Sequence, residues 1–301
     1  MCIRRLGIFV LLLLAPSLAA AQRPEPSPPQ VPANELVKRA IQKELDDTGR
    51  DLHFMYRLHK KTPERTETRE CLETNDGTLA RVIAINDQPL TPEQQQLETQ
   101  RLERYLSEPD KWTRRQKAQK EDTDRVHKMV AALPQAFNYT YAGADSSDGR
   151  QLVRLSFQPN PQFVPPTHEL RVYTGMQGMM WIDSVSTRLV RIDAKLFRDV
   201  DFGWGILGRL YKGGSFEIEQ RELGEGRWET TKTILNFEGK ALMVKALHIK
   251  VTETLSDFRR APDKLTLADG IHLLEKYDPA QETIAEQNRR QQNGGGAALP
   301  K

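Results

Sequence analysis

Residues 188–223 read RLVRIDAKLFRDVDFGWGILGRLYKGGSFEIEQREL. The first part alternates, with Val190, Ile192, Ala194 and Leu196 on one side and Arg191, Asp193 and Lys195 on the other. The last part does the same, Phe216 and Ile218 against Glu217 and Glu219. A period of two with one charged side is the pattern of antiparallel strands that keep one face wet. Between them stands Gly203-Trp204-Gly205-Ile206-Leu207-Gly208, a literal G-x-G-x-x-G. Asp201-Phe202-Gly203 precedes it, and a near P-loop from Gly208 to Ser215 follows. Glycines that cradle a nucleotide would make this a parallel α/β protein. Glycines that join two antiparallel strands make it something else.

The context decides against a nucleotide. A dinucleotide fingerprint needs a buried parallel strand before the glycines and a helix after them, so that the helix N-terminus meets the pyrophosphate. Here the strand before is half charged, and Leu210-Tyr211-Lys212-Gly213-Gly214 leads straight into another alternating strand. A kinase D-F-G must follow a glycine loop and an H-R-D, and the chain has no H-R-D. Where a P-loop needs its lysine, the chain has Gly214-Ser215. The glycines are read as bulges, bends and close backbone approaches between strands.

The same alternation runs through most of the chain. Leu52, Phe54, Tyr56 and Leu58 share a face, and TLARVIAIND follows the turn signal Asn75-Asp76-Gly77. Phe137, Tyr139 and Tyr141 alternate after Pro134, then Val153, Leu155 and Phe157 after Asp148-Gly149. RVYTGMQGMMWID is read as one strand, with Val172, Thr174, Met176, Met180 and Ile182 on one side. RWETTKTILNF and LMVKALHIKVTETL complete about nine or ten strands joined by short turns. The expected fold is α+β, mainly β: a curved antiparallel sheet, an incomplete β-barrel, with helices covering the open side.

Two segments carry the helical period. Asn34 is a candidate N-cap for ELVKRAIQKELDD, where Leu36, Val37, Ala40, Ile41 and Leu45 form one stripe, ended by Gly49. Residues 91–131 are rich in helix formers. They start with Thr91-Pro92-Glu93 and are divided by Pro109 into two helices. Their apolar residues are sparse, so this block reads as an insertion that packs lightly on the sheet or covers one opening.

The ends place the chain in a cell. Arg4 and Arg5 precede the apolar run Leu6–Leu14, and Ala19-Ala20-Ala21 supplies a cleavage site before Gln22. Residues 1–21 are therefore expected to be a secretory signal peptide cleaved after Ala21. The run is far short of the roughly 20 apolar residues of a membrane span. A proline-rich linker (22–33), one domain (34–278, insertion at 91–131) and a disordered glycine-containing tail (279–301) complete the plan. The periplasm is the expected location. Removing Arg4 and Arg5 takes the formal charge from +3 to +1, and no basic block suits nucleic acid. The mature chain keeps one cysteine, Cys71, and so makes no internal disulfide. It reads as a small half-buried strand residue.

Catalytic constellations are thin. The six histidines show no ligand spacing, and no G-x-S-x-G occurs. His53 and His59 share a strand face and read as surface histidines. Asp183, Asp193, Asp199 and Asp201 lie among arginines on the wet face and are read as ion-paired rather than as a glycosidase pair. No catalytic residue, cofactor or metal ligand is assigned.

Gly178-Met179-Met180-Trp181-Ile182-Asp183, a turn, and Arg188-Leu189-Val190-Arg191-Ile192-Asp193 together resemble the LolA/LolB-like proteins, the periplasmic lipoprotein carriers. Gly213-Gly214-Ser215-Phe216, Arg227-Trp228, Gly239-Lys240-Ala241-Leu242 and Ser256-Asp257-Phe258-Arg259 extend the likeness over 133–259. That resemblance implies an incomplete barrel closed by helices, whose concave face holds acyl chains, and a carrier without catalysis. The helical insertion departs from the family pattern, and the family's gating arginine has no counterpart that can be placed here. The expected cavity lining is Leu155, Phe157, Met176, Met180, Ile182, Val190, Ile192, Phe216 and Ile218. The expected partner is a lipid or acylated lipoprotein. The alternative is an envelope interaction or sensor module whose protein partner docks on 91–131.

Overall fold

The computed structural model describes residues 31–46, 53–203, 208–224, 226–242 and 245–276. The signal segment, most of the proline-rich linker, the tail and Trp204–Leu207 of the glycine stretch lie outside the described residues.

Thirteen strands form one antiparallel sheet. In chain order they are β1 (Phe54–Lys61), β2 (Thr66–Thr74), β3 (Gly77–Ile85), β4 (Gln88–Pro89), β5 (Phe137–Ser147), β6 (Arg150–Pro159), β7 (Met176–Asp183), β8 (Leu189–Leu196), β9 (Val200–Phe202), β10 (Gly208–Leu210), β11 (Ser215–Gly224), β12 (Arg227–Ala241) and β13 (Lys245–Arg260). Among the described residues four α-helices accompany them: α1 (Ala33–Asp46), α2 (Pro92–Ser107), α3 (Pro109–Ala136) and α4 (Leu267–Lys276), with a 3₁₀ turn at Glu169–Gly175. The sheet runs β4-β3-β2-β1-β13-β12-β11-β8-β7-β6-β5 and does not close; β10 and β9 extend it beside β12.

The helices begin and end where the chemistry asks. Thr91 and Gln94 form a capping box, with Pro92 in the first turn of α2. Pro109 starts α3 as it ends α2. α3 continues to Ala136 through Pro134 and passes directly into β5. Three expectations are corrected. Asn34 lies inside α1, and its Oδ1 accepts the backbone N–H of Tyr139 on β5 at 3.1 Å instead of capping the helix. Residues 169–175 form the 3₁₀ turn rather than the start of a strand, so Val172 and Thr174 do not continue the face of β7. In β8, the register shifts between Trp181↔Arg191 and Ile182↔Leu189. That bulge leaves Val190 unpaired and turns Leu189 inward.

Residues paired directly across antiparallel strands share a face. One register row reads Phe157–Gly178–Ala194–Phe216–Leu235–Val251. The next reads Leu155–Met180–Ile192–Ile218–Thr233–Glu253–Lys60–Glu67. We term this side the inner face. At the β5–β8 end it is buried beneath α1 and the end of α3, in a core with Val37, Ile41, Phe137, Tyr173 and Leu196. At the other end the opposite face is buried: Met55, Leu72 and Leu79 pack against Leu102, Trp112, Ile271 and Leu274 of α2, α3 and α4. α3 therefore starts in one core and ends in the other, crossing the seam between the edge strands.

The sheet must curl to allow this. Nine strand spacings separate β3 from β5, about 43 Å if flat. Gln119 of α3 bonds Thr78 of β3, and β5 begins where α3 ends. The intervening helix is only about 27 Å long.

Candidate ligand-binding surface

Among the described residues the helices pack chiefly on the two ends of the sheet: α1 on β5 and β8, α3 on β3 and β5, α2 on β3, and α4 on β2 and β3; Glu44 of α1 also accepts from Gln220 Nε2 of β11 at 3.1 Å. The principal neighbours of β11, β12 and β13 are other strands. On the inner face of those strands the apolar pattern nevertheless continues. Phe216 pairs with Leu235 and Leu235 with Val251; Phe237 pairs with Ile249, and Gly239 with Leu247. All but the glycine are half-buried side chains. Phe216 and Phe237 touch the core beneath α1, while Leu235, Ile249 and Val251 belong to neither buried cluster. Leu247, Ile249 and Val251 cover about 14 Å along β13. The lane ends at Glu253, whose Oε1 lies 2.8 Å from Lys60 Nζ on β1.

Beyond that ion pair the same face carries Glu67, held between Arg65 and Arg69. Leu58 pairs with Leu255 beside it. Further along, Tyr56 stacks on Phe258 with ring centroids 5.4 Å apart, and Phe54 meets Phe258 edge-on at 6.4 Å. Burial pushes the Cys71 thiol up to about 12 and also raises the Tyr56 phenol, which Cys71 and Glu73 push further. Burial, aided by Glu229, raises Glu73 as well. A thiol held neutral is a poor nucleophile, so Cys71 is structural here, and fully buried rather than half-buried.

The sequence-derived lining divides. Leu155, Phe157, Met176, Met180, Ile182 and Ile192 are buried in the core beneath α1 and the end of α3. Phe216 and Ile218 are half-buried at the start of the uncovered lane. Val190, displaced by its bulge, lines a 300 Å³ depression on the outer face with Trp181 and Arg191. The expected lining contains no residue of β12 or β13, although Leu247, Ile249 and Val251 alternate cleanly until Glu253.

A depression of 530 Å³ lies off the apolar lane. It is a shallow trough across the outer face of β6, β7, β8 and β11. Gln158, Gln177, Lys195 and Ser215 wall one side, and Ser156, Met179, Asp193 and Glu217 the other. Its acids are engaged: Arg191 lies 2.8 Å from Asp193 and 3.6 Å from Glu217, and Lys232 lies 2.7 Å from Glu217. The other acids of the wet face are similarly tied. Asp201 bonds Arg209 at 2.6 Å. Asp183 accepts from the Ser186 and Val185 backbone, and these bonds outweigh burial and hold its carboxyl below the usual range. His59 contacts Asp87 at 3.0 Å and His53 contacts Asn75. Among the described residues, no cluster of His, Cys, Asp and Glu could hold a metal, and no helix is long and apolar enough to cross a membrane.

No family model and no curated protein matches the sequence. Three of the solved structures to which the chain is similar are the following. A LolA-superfamily protein from Nitrosomonas europaea matches at 12% identity and TM-score 0.28, over 78% of this chain and 96% of its own. A DUF1329-family protein from Desulfovibrio piger matches at 9% and 0.29, over 79% and 97%. A putative outer membrane lipoprotein-sorting protein domain from Vibrio parahaemolyticus matches at 10% and 0.29, over 81% and 100%.

Proposed function

We propose that this chain is a non-enzymatic periplasmic carrier that binds a lipid or the acyl chain of a lipoprotein on the inner face of β11, β12 and β13. The observation that supports it most is the uncovered lane itself. The row Phe157–Ala194–Phe216 is covered where it lies under α1, and the same row continues as Leu235 and Val251, which among the described residues belong to neither of the two helix-covered cores. Apolar surface left open next to a closed core marks a binding site. The lane's length suits the ligand: an acyl chain reaches about 15 Å, half the ~30 Å hydrocarbon core of a bilayer. Covering a chain of roughly 16 carbons contributes on the order of 10 kcal/mol before the entropy of immobilisation is subtracted. Phe216 and Ile218 open the lane, and Leu235, Phe237, Ile249 and Val251 floor it. No group on this surface needs to react.

The test is native mass spectrometry of residues 22–301, exported to a bacterial periplasm and purified without detergent. An added mass matching a phospholipid, fatty acid or acylated peptide is expected, and it should vanish in Leu235→Glu/Val251→Glu. Both positions are half-exposed, so the variant should keep its circular dichroism. A clean mass with no uptake of added lipid would remove the carrier reading. The outward side of α2 and α3, where Leu97, Leu106 and Val126 are exposed, would then be the surface to examine for a protein partner.

A further inference from the structure

Building on that reading, we infer that the charged row closing the lane is a headgroup site, and that the ligand class is a zwitterionic phospholipid whose head carries a phosphate and a primary amine. The apolar row Leu155–Met180–Ile192–Ile218 does not fade at its end. Through Thr233 it becomes Glu253–Lys60–Glu67 in continuous register, with Arg69 two residues along β2 on the same face. An acyl chain lying along Leu247–Val251 therefore delivers its head to charges of both signs. Lys60 and Arg69 suit the phosphate, and Glu253 suits the ammonium.

The resident ion pair does not bar the way. Lys60 and Glu253 side chains are 38% and 31% exposed, and a pair so open to water contributes only about 0–1 kcal/mol. A head bearing both charges can part them and leave each with a new partner. A head bearing only a negative charge leaves Glu253 facing it without compensation. Arg65 and Arg69 both hold Glu67, which is 4% exposed, so the guanidinium of Arg69 is fixed in place rather than swinging freely. The row thus discriminates by charge pattern, whereas the lane above it discriminates only by apolar length.

The experiment offers the delipidated chain (22–301) an equimolar mixture of dioleoyl phosphatidylethanolamine and dioleoyl phosphatidylglycerol, read by native mass spectrometry. The amine lipid should dominate by roughly tenfold, the factor set by one favourable charge contact. Glu253→Lys should reverse the preference toward the glycerol lipid. Lys60→Glu/Glu253→Lys restores an ion pair and both charges, and should recover the amine preference, which separates recognition from mere folding. Equal uptake of the two lipids, or a preference that ignores these substitutions, would overturn the headgroup assignment and leave acyl binding standing. Uptake of neither lipid would overturn both.

Discussion

Glu70 is fully buried on β2, between Arg259 and Arg57. A buried charge is tolerable only while its partners remain, and removing one member of such a set costs about 3–5 kcal/mol. Glu70→Ala should therefore lower stability by about 3 kcal/mol, seen as a reduced urea midpoint; a change within about 0.5 kcal/mol would contradict the arrangement. Its neighbour Cys71 sets a pH dependence. Burial raises the thiol from its ordinary 9.0 to about 12 in the folded state, so the unfolded chain releases this proton first. The stability it contributes is complete below pH 9 and is lost as pH rises toward 12. Cys71→Ala should flatten the alkaline fall in melting temperature, and Cys71 should react with maleimide at pH 7 only after denaturation. At this scale the sequence is least legible. Alternation places Val190 inside with Ile192, and nothing in the letters announces that a bulge substitutes Leu189. Asn34 looks like a cap, yet it serves a strand edge. Both outcomes depend on partners far along the chain.

At the scale of elements, the β3 side of the sheet is blocked by helices. β3 would present free backbone groups, but helices occupy them. Val82 N–H donates to Glu98 Oε1 at 2.8 Å, Arg101 donates to Ala80 O at 2.6 Å, and Gln119 both accepts from Thr78 N–H and donates to Thr78 O, at 3.1 and 2.7 Å. Side chains here do the work of another strand and protect the edge from pairing with other chains. Glu98→Ala/Gln119→Ala should expose it and produce concentration-dependent association in light scattering; a variant that scatters like the parent at all concentrations would refute the role. Thr91→Ala should cost about 1 kcal/mol through the lost cap on α2, readable by thermal melts. The pair of helices, their start at Thr91-Pro92 and their break at Pro109 are all legible in the sequence, because capping and proline geometry are local. Their task is not legible, since sparse apolar residues suggest loose packing. Besides the buried Leu102 and Trp112, polar side chains hold α2 and α3 to β3, and glutamines and arginines in a helix look the same whether they meet water or a strand edge.

For the whole molecule, alternation gives an antiparallel sheet with one wet face, and the structure has that sheet. It does not give which face is wet at each end. Met55, Leu72 and Leu79 are buried on one side and Leu155, Met180 and Ile192 on the other, and period two is indifferent to that exchange. The consequence for stability is measurable. Leu155→Ala and Leu274→Ala each remove a fully buried side chain and should each cost about 2–5 kcal/mol. Their effects should add within about 0.5 kcal/mol, since the cores share no residue. Hydrogen exchange should quicken in β6 and β7 for the first and in β2, β3 and α4 for the second; uniform quickening in both would show one core instead of two.

Mechanically, such a sheet is a plate clamped at both ends and a single layer thick in the middle. Bending stiffness falls steeply with thickness, so flexure should concentrate in β12 and β13, whose principal neighbours among the described residues are other strands. The clamped ends act as rigid handles, and turning one against the other opens or tightens the curve between them. The surface of lowest stiffness is therefore also the apolar one.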